Sequence, residues 1–241
     1  MKKNLSVFLM IFATLLLGTG CLAPKCEVNI DSINSGQPVG KQYIISPGDK
    51  NIPLDNLQFL EYAKYTHRAL QMKGFAPATS PETADIAVYL YYAVSAPTEH
   101  QYQYSEPVYG QTGFSTSRMR TPVDHRGGQP TYVETTTYSP TYGVVGYTER
   151  TGTYVLFTRF ISLNAFDMVE YRKSHNQKQV WKTEISSSDP SGDLRKAFPL
   201  MLMAALPYLG ENTGSQLTVK IDASDPRLQA FWNQPVPVYG K

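Results

Sequence analysis

Residues 86–94 read Ile-Ala-Val-Tyr-Leu-Tyr-Tyr-Ala-Val, nine positions with scarcely a polar atom. Such a run, rich in β-branched and aromatic side chains and entered through Ala84-Asp85, predicts a strand buried on both faces in the middle of a sheet. The residues before it predict a helix. Asp55 serves as its N-cap, with Gln58 three residues later in capping-box spacing. Phe59, Leu60, Ala63, His67 and Leu70 then fall on one face, Glu61, Lys64, Arg68 and Gln71 on the other. Gly74 ends it, where a left-handed residue is wanted. Further upstream, Lys41 to Ser46 predicts a strand closed by Pro47-Gly48.

The same kinds of element return later in the chain. Tyr154 to Phe166 is a long β-rich run, and Gln179 to Ile185 is a strand with Trp181, Thr183 and Ile185 on one face. Arg172 to Lys178, including His175, reads as a polar hairpin between them. Asp189-Pro190 predicts a helix start, followed by an apolar stripe of Leu194, Phe198, Met201, Leu202, Ala205 and Leu209. Leu217 to Ile221 supplies a last strand. The order strand-helix-strand, insertion, two strands, helix-strand predicts an α+β fold: a mixed β-sheet with two helices packed on one face, interrupted by a long Tyr/Gly/Thr-rich insertion. Residues 41–96 and 149–221 amount to about 130 residues, enough for an independent core.

Residues 97–148 differ in kind, with seven tyrosines, many Gly, Thr, Ser and Pro, and neither Leu nor Ile. Little there is available to bury against an ordering cost of ~1–2 kcal/mol per residue. Partial disorder is expected, with Thr131 to Tyr138 forming a hairpin with Tyr147 to Phe160.

The N-terminus predicts export and lipidation, with ordinary secretion and a cut nearby as the alternative. Lys2 and Lys3 precede an apolar run from Leu5 to Leu17, too short to span a ~30 Å bilayer comfortably, and Gly18-Thr19-Gly20 lead into Cys21. Gly18 stands where cleavage boxes of this kind usually carry Leu. Removal of the leader takes two positive charges from a net +2 and leaves zero, which gives no reason to expect nucleic acid. The divisions are therefore 1–20, a lipoprotein signal peptide; 21–40, a lipidated tether; 41–221, the α+β domain with its flexible insertion at 97–148; and 222–241, a proline-containing tail. Cys26, the other cysteine, reads as a thiol in the tether, with an intermolecular bridge as the alternative.

No catalytic constellation emerges. No two of His67, His100, His125 and His175 stand at metal-ligand spacing. His67 lies on an apolar helix face, and His100 and His125 lie in the insertion. Gly113-Phe114-Ser115-Thr116-Ser117 lacks the second glycine of a nucleophile elbow, and Gly127-Gly128 has neither the strand nor the helix of a phosphate cradle. Asp85 and Asp193 read as turn and cap residues. No catalytic residue, cofactor or metal ligand is assigned.

Two features suggest contact with a partner. Residues 197–206 run without a charge, so Phe198, Leu200, Met201 and Met203 are either buried beneath the insertion or tail or form a partner surface. Pro199 is expected to kink that helix. The insertion is either a solvated spacer or an adhesive segment, with Tyr132 and Tyr138 offering aromatic faces to glycan or protein.

The lipidated N-terminus, the Ala84-Asp85-Ile86 approach to a buried strand, the Tyr/Gly-rich segment before a long strand, and Val180-Trp181-Lys182-Thr183 before a helix together resemble bacterial envelope lipoproteins of the domain of unknown function 4136 type. The resemblance covers about Lys41 to Ile221, with a longer and less glycine-rich insertion. It implies an α+β domain facing the periplasm or cell surface, without an assigned activity or cofactor. The expected function is that of a palmitate-bearing, lipid-anchored protein of the outer membrane, since Leu22 rather than Asp follows Cys21. It would act as a binding or scaffolding module in cell-envelope maintenance or assembly. The alternative is a hydrolase of envelope polymers with His67 or His175 as general base. The membrane through the lipid, and an envelope protein or glycan, are the expected partners.

Overall fold

The central ladder joins β4 (Ile86–Val94) to β6 (Thr131–Asp167), antiparallel from Ile86 opposite Asp167 to Val94 opposite Arg159. Residues 26–123 and 131–235 are described by the structure, a computed structural model. The signal peptide and Cys21 lie outside them. Around the ladder stand β1 (Cys26–Asn34), β2 (Gln42–Pro47), β3 (Ala76–Pro77), β5 (Thr98–Val123), β7 (Gln179–Asp189) and β8 (Leu217–Ile221). The order across the sheet is β3-β2-β4-β6-β7-β1-β8, with β5 paired to β6. β2 is parallel to β3 and β4, whereas β1, β4, β6, β7 and β8 pair antiparallel. The fold is α+β with a mixed sheet.

Four helices accompany the strands among the described residues: α1 (Leu57–Met72), α2 (Met168–Ser174), α3 (Leu194–Ala205) and α4 (Pro226–Asn233). Residues 26–97 and 156–235 form one compact unit, and residues 98–123 and 131–155 a second.

In the first unit, Ile30, Ile161 and Ile185 stand side by side across three strands and are fully buried. Tyr62 of α1 stacks on Phe198 of α3 with ring centres 4.3 Å apart and meets Tyr92 of β4 edge-on at 4.7 Å. Each such aromatic pair adds about 0.5–1.5 kcal/mol beyond its area burial. The stripe Leu194, Phe198, Met201, Leu202, Ala205 and Leu209 is buried, as are Trp181, Thr183 and Ile185. Gly74, at φ +89°, follows α1 in the left-handed conformation.

Several expectations are corrected. Residues 26–34 of the expected tether are a strand held between β7 and β8, with Val28, Ile30 and Ser32 buried and Asn29 and Asp31 less so. Only two inward aliphatic residues amid Asn, Asp and Ser, with Ile33 facing out, disguise a period-two pattern. The α1 cap is Asn56, whose side chain accepts from the Phe59 N–H at 3.0 Å, rather than Asp55. Leu60 is exposed, and Tyr62 and Thr66 are buried in its stead. β7 continues through Asp189, so α3 starts later, with Asp193 accepting from the Lys196 N–H. The expected polar connection does join antiparallel β6 and β7, but its first residues, 172–174, belong to helix α2, ended by His175 at φ +58°. Within the expected tail, α4 buries Leu228 and Phe231.

The insertion differs most from expectation. Its described residues form two long strands, and Thr131 to Tyr138 continues into Tyr147 to Phe160 within β6 instead of folding back on it. The partner is β5. Thr, Tyr and Val favour extended backbone without a core, and the glycines at 143 and 146 interrupt nothing.

Replacing residues 98–155 by a short linker should leave the first unit folded. Ser95 N–H still donates to the Thr158 carbonyl at 2.8 Å, and Val94 still faces Arg159. Thermal unfolding should remain cooperative. A midpoint lowered by more than about 10 °C, several times the shift for ~1 kcal/mol in a domain of this size, would make the second unit integral to that core.

Candidate functional site

Residues 98–123 and 131–155 make a two-stranded ribbon in which no described side chain is fully buried. Side chains alternate between the faces of a strand. On one face His100, Tyr102 and Tyr104 of β5 gather with Tyr154 of β6. The His100 and Tyr154 rings are 5.4 Å apart, Tyr102 and Tyr154 6.0 Å, and Tyr102 and Tyr104 5.8 Å. Gln101 and Gln103 therefore belong to the opposite, polar face. Gly152 makes room for this cluster, because a Cβ there would lie 2.6 Å from the Tyr102 ring. The Arg150 guanidinium donates to Glu106 at 2.9 Å, and the Ser105 hydroxyl donates to Glu149.

The aromatic face stays open. Tyr102, Tyr104 and Tyr154 are 50%, 46% and 43% exposed; elsewhere on the ribbon, on one face or the other, Tyr109, Phe114, Tyr142 and Tyr147 are more so. Of the residues expected to touch a partner, Tyr132 and Tyr138 are exposed in the ribbon. Phe198, Met201 and Met203 are fully buried and Leu200 half-buried, so α3 supplies core rather than a docking surface. The charge-free run of α3 follows from its neighbours, which cover it on nearly every side. His100, Tyr102, Tyr104 and Tyr154 went unassigned in the sequence reading. The alternation His100-Gln101-Tyr102-Gln103-Tyr104 is the signal that marks the first three.

The first unit holds the remaining polar chemistry. His67 is 1% exposed and its Nδ1 lies 2.8 Å from the Tyr43 hydroxyl, which donates to the His67 carbonyl. Burial pushes its imidazole down to about 4, far from the value a general base needs near neutrality. His175 caps α2, its ring edge-on to Tyr171 at 5.8 Å. His125 lies outside the described residues. Asp85 accepts from the Gln42 N–H at 2.9 Å, tying the start of β4 to that of β2 rather than serving a turn.

Arg159 is buried and donates to the Ser187 hydroxyl at 3.1 Å, while Asp189 lies 4.0 Å away. Its Nε has no partner among the described residues. Cys26 Sγ lies 3.3 Å from the same Ser187 hydroxyl, so this thiol belongs to the sheet. An open recess of about 400 Å³ beside the start of α3 is lined by Gln58, Tyr62, Tyr92, Asp193 and Arg195. Another, of about 540 Å³, lies between α1 and α4, where Arg68 stacks over Trp232 at 5.3 Å. Glu61 at its edge is engaged by Arg195 at 2.8 Å and by Tyr65, and the Arg195 bond holds its carboxyl below the usual range. Among the described residues no group of three or more His, Cys, Asp or Glu side chains is placed to hold a metal ion, and no helix is long and apolar enough to cross a membrane.

No family model and no curated protein matches the chain. Among solved structures it is similar to a PDZ domain protein from Parabacteroides distasonis, at 12% identity and a TM-score of 0.38, over 83% of this chain and 40% of that one. The chain thus spans less than half the length of that protein.

His67 makes stability depend on pH in a definite direction. Its pKa falls from 6.5 to about 4 on folding, so between those values the unfolded chain binds the extra proton and stability is lost as pH falls. The loss approaches roughly 3 kcal/mol by pH 4 and then levels off. Denaturant unfolding of the native chain and His67→Gln from pH 7.5 to 4 should show a smaller acid loss in the variant. Equal losses would contradict this assignment.

Proposed function

We propose that the protein is a binding or scaffolding module of the bacterial cell envelope, held at the outer membrane by lipid on Cys21. The observation that carries the binding role is the ribbon: its aromatic face is open and backed by a polar face of Gln101 and Gln103. Apolar patches of this kind on a protein surface mark sites of interaction. The anchor rests on the leader, the small residues before Cys21 and Leu22 after it. Membership of the envelope lipoproteins of the domain of unknown function 4136 type rests on the motifs quoted for it. In this reading α1 and α3 cover one face of the mixed sheet and make a folded base, and residues 98–155 are the inserted contact element. The partner is an envelope protein or glycan, met in the periplasm or at the cell surface.

Complementation of a deletion strain tests both halves. The full chain should restore envelope integrity. Chains with residues 98–155 replaced by a linker, or with Tyr102, Tyr104 and Tyr154 changed to Ser, should fail while remaining folded and membrane-bound. His67→Gln and His175→Ala should restore it, whereas a hydrolase using either histidine would lose activity. Labelled palmitate should enter the native chain but not Cys21→Ala. Full rescue by the ribbon-deleted chain would overturn the binding role, and absence of label from the native chain would overturn the anchor.

A further inference from the structure

The ribbon's charges are sorted along its length. At the end where β5 begins stand Glu99, Glu106, Glu149 and Arg150, three carboxylates against one guanidinium. Toward the end of β5 stand Arg118 and Arg120, with Glu134 on β6. Between them, residues 107–117 of β5 and 135–148 of β6 carry no charge at all. Glu99, Arg118, Arg120 and Glu134 make no ion pair among the described residues, in contrast to Glu106 with Arg150.

A two-stranded ribbon without a third layer is marginal in water, and this one leaves its apolar and aromatic side chains open. Its eight tyrosines, 43–73% exposed, are shared between the two faces of the ribbon and present roughly 1,000 Å² in all at ~200 Å² per ring. Each partner in a standard protein interface contributes about 800 Å², of which the rings of one face supply a part and the side chains between them the rest. Addition of a further strand along its edges is disfavoured by Pro107 and Pro122 in β5 and Pro140 in β6, since proline offers no N–H to a new ladder. The side-chain faces are left.

We propose that a second copy of this chain covers the ribbon, the two ribbons lying antiparallel about a two-fold axis. This deepens the binding role by naming the partner and rests on it. In that arrangement the acidic end of each ribbon meets the basic end of the other, and the neutral spans meet at the axis. A parallel arrangement would set like charges together. The contact is isologous, with the same patch used on both copies, and a cover of equal length, twist and charge pattern is what the second ribbon supplies.

Two differently tagged full-length copies, expressed together and recovered through one tag, test this. The native chains should co-purify, less so as ionic strength rises. Arg118→Glu with Arg120→Glu in both copies should reduce recovery about tenfold. Pairing that variant with one carrying Glu99→Lys and Glu149→Lys should restore it. Sedimentation of the purified full chain should show a dimer that the Arg118→Glu, Arg120→Glu variant does not form. A native chain that stays monomeric, indifference to charge reversal, or equal recovery after replacement of residues 98–155 would each overturn the second-copy assignment. If it is monomeric yet complementation still needs the ribbon, the binding role stands and the occupant is another envelope component. Binding of the monomer to isolated peptidoglycan would identify a glycan in its place.

Discussion

Everything in the first unit depends on the antiparallel ladder between β4 and β6. It sets residues 86–94 against 159–167 and closes a long excursion of the chain. The entropy of closing such a loop grows only with the logarithm of its length, so a ladder of nine facing pairs can hold the ends whatever is inserted between them. Once it forms, β2 adds beside β4 and β7 beside β6. Tyr92 at one end of the ladder then meets Tyr62, which stacks on Phe198. Two helices far apart in sequence thereby share one aromatic contact with the central strand.

The elements legible in the sequence are those that bury large groups at a clean period. Ile86–Val94 announces itself by its apolar and aromatic run, although only its first half is closely covered on both faces and Tyr91 and Val94 are 40% exposed; α3 announces itself by its apolar stripe. β1 was hidden because its inward positions are Val28, Ile30 and Ser32, and a buried serine interrupts the pattern. That serine is satisfied by the Thr183 hydroxyl at 2.7 Å, a partner remote in sequence. α4 was hidden for a related reason: Pro226 and the later prolines suggest a tail, yet Asp225 caps a helix with proline in its first turn. Partner assignments on α3 failed because absence of charge marks a deeply covered helix and a docking helix alike. Only the neighbours distinguish them.

The ribbon teaches the converse. Absence of Leu and Ile from residues 97–148 told correctly that no core could form there, and every described side chain of that stretch is at least partly open. Absence of a core does not mean absence of backbone order. Extended Thr, Tyr and Val residues pair across two strands through their main chain, and cross-strand contacts such as Thr112 with Thr141 and Tyr102 over Gly152 add to the ladder. The molecule thus combines a unit that gains its stability from burial with one that keeps its aromatic groups available. In physical terms, the second is ordered by its main chain and leaves its aromatic side chains open.

Amide hydrogen exchange on the full chain, followed by peptide, measures that contrast most directly. Amides of β1, β4 and β7 should open only with global unfolding. Those of residues 98–123 and 131–155 should exchange through much cheaper local opening in dilute protein and become protected when the ribbon is covered. Ribbon amides as slow as those of β4 in the dilute monomer would contradict the account.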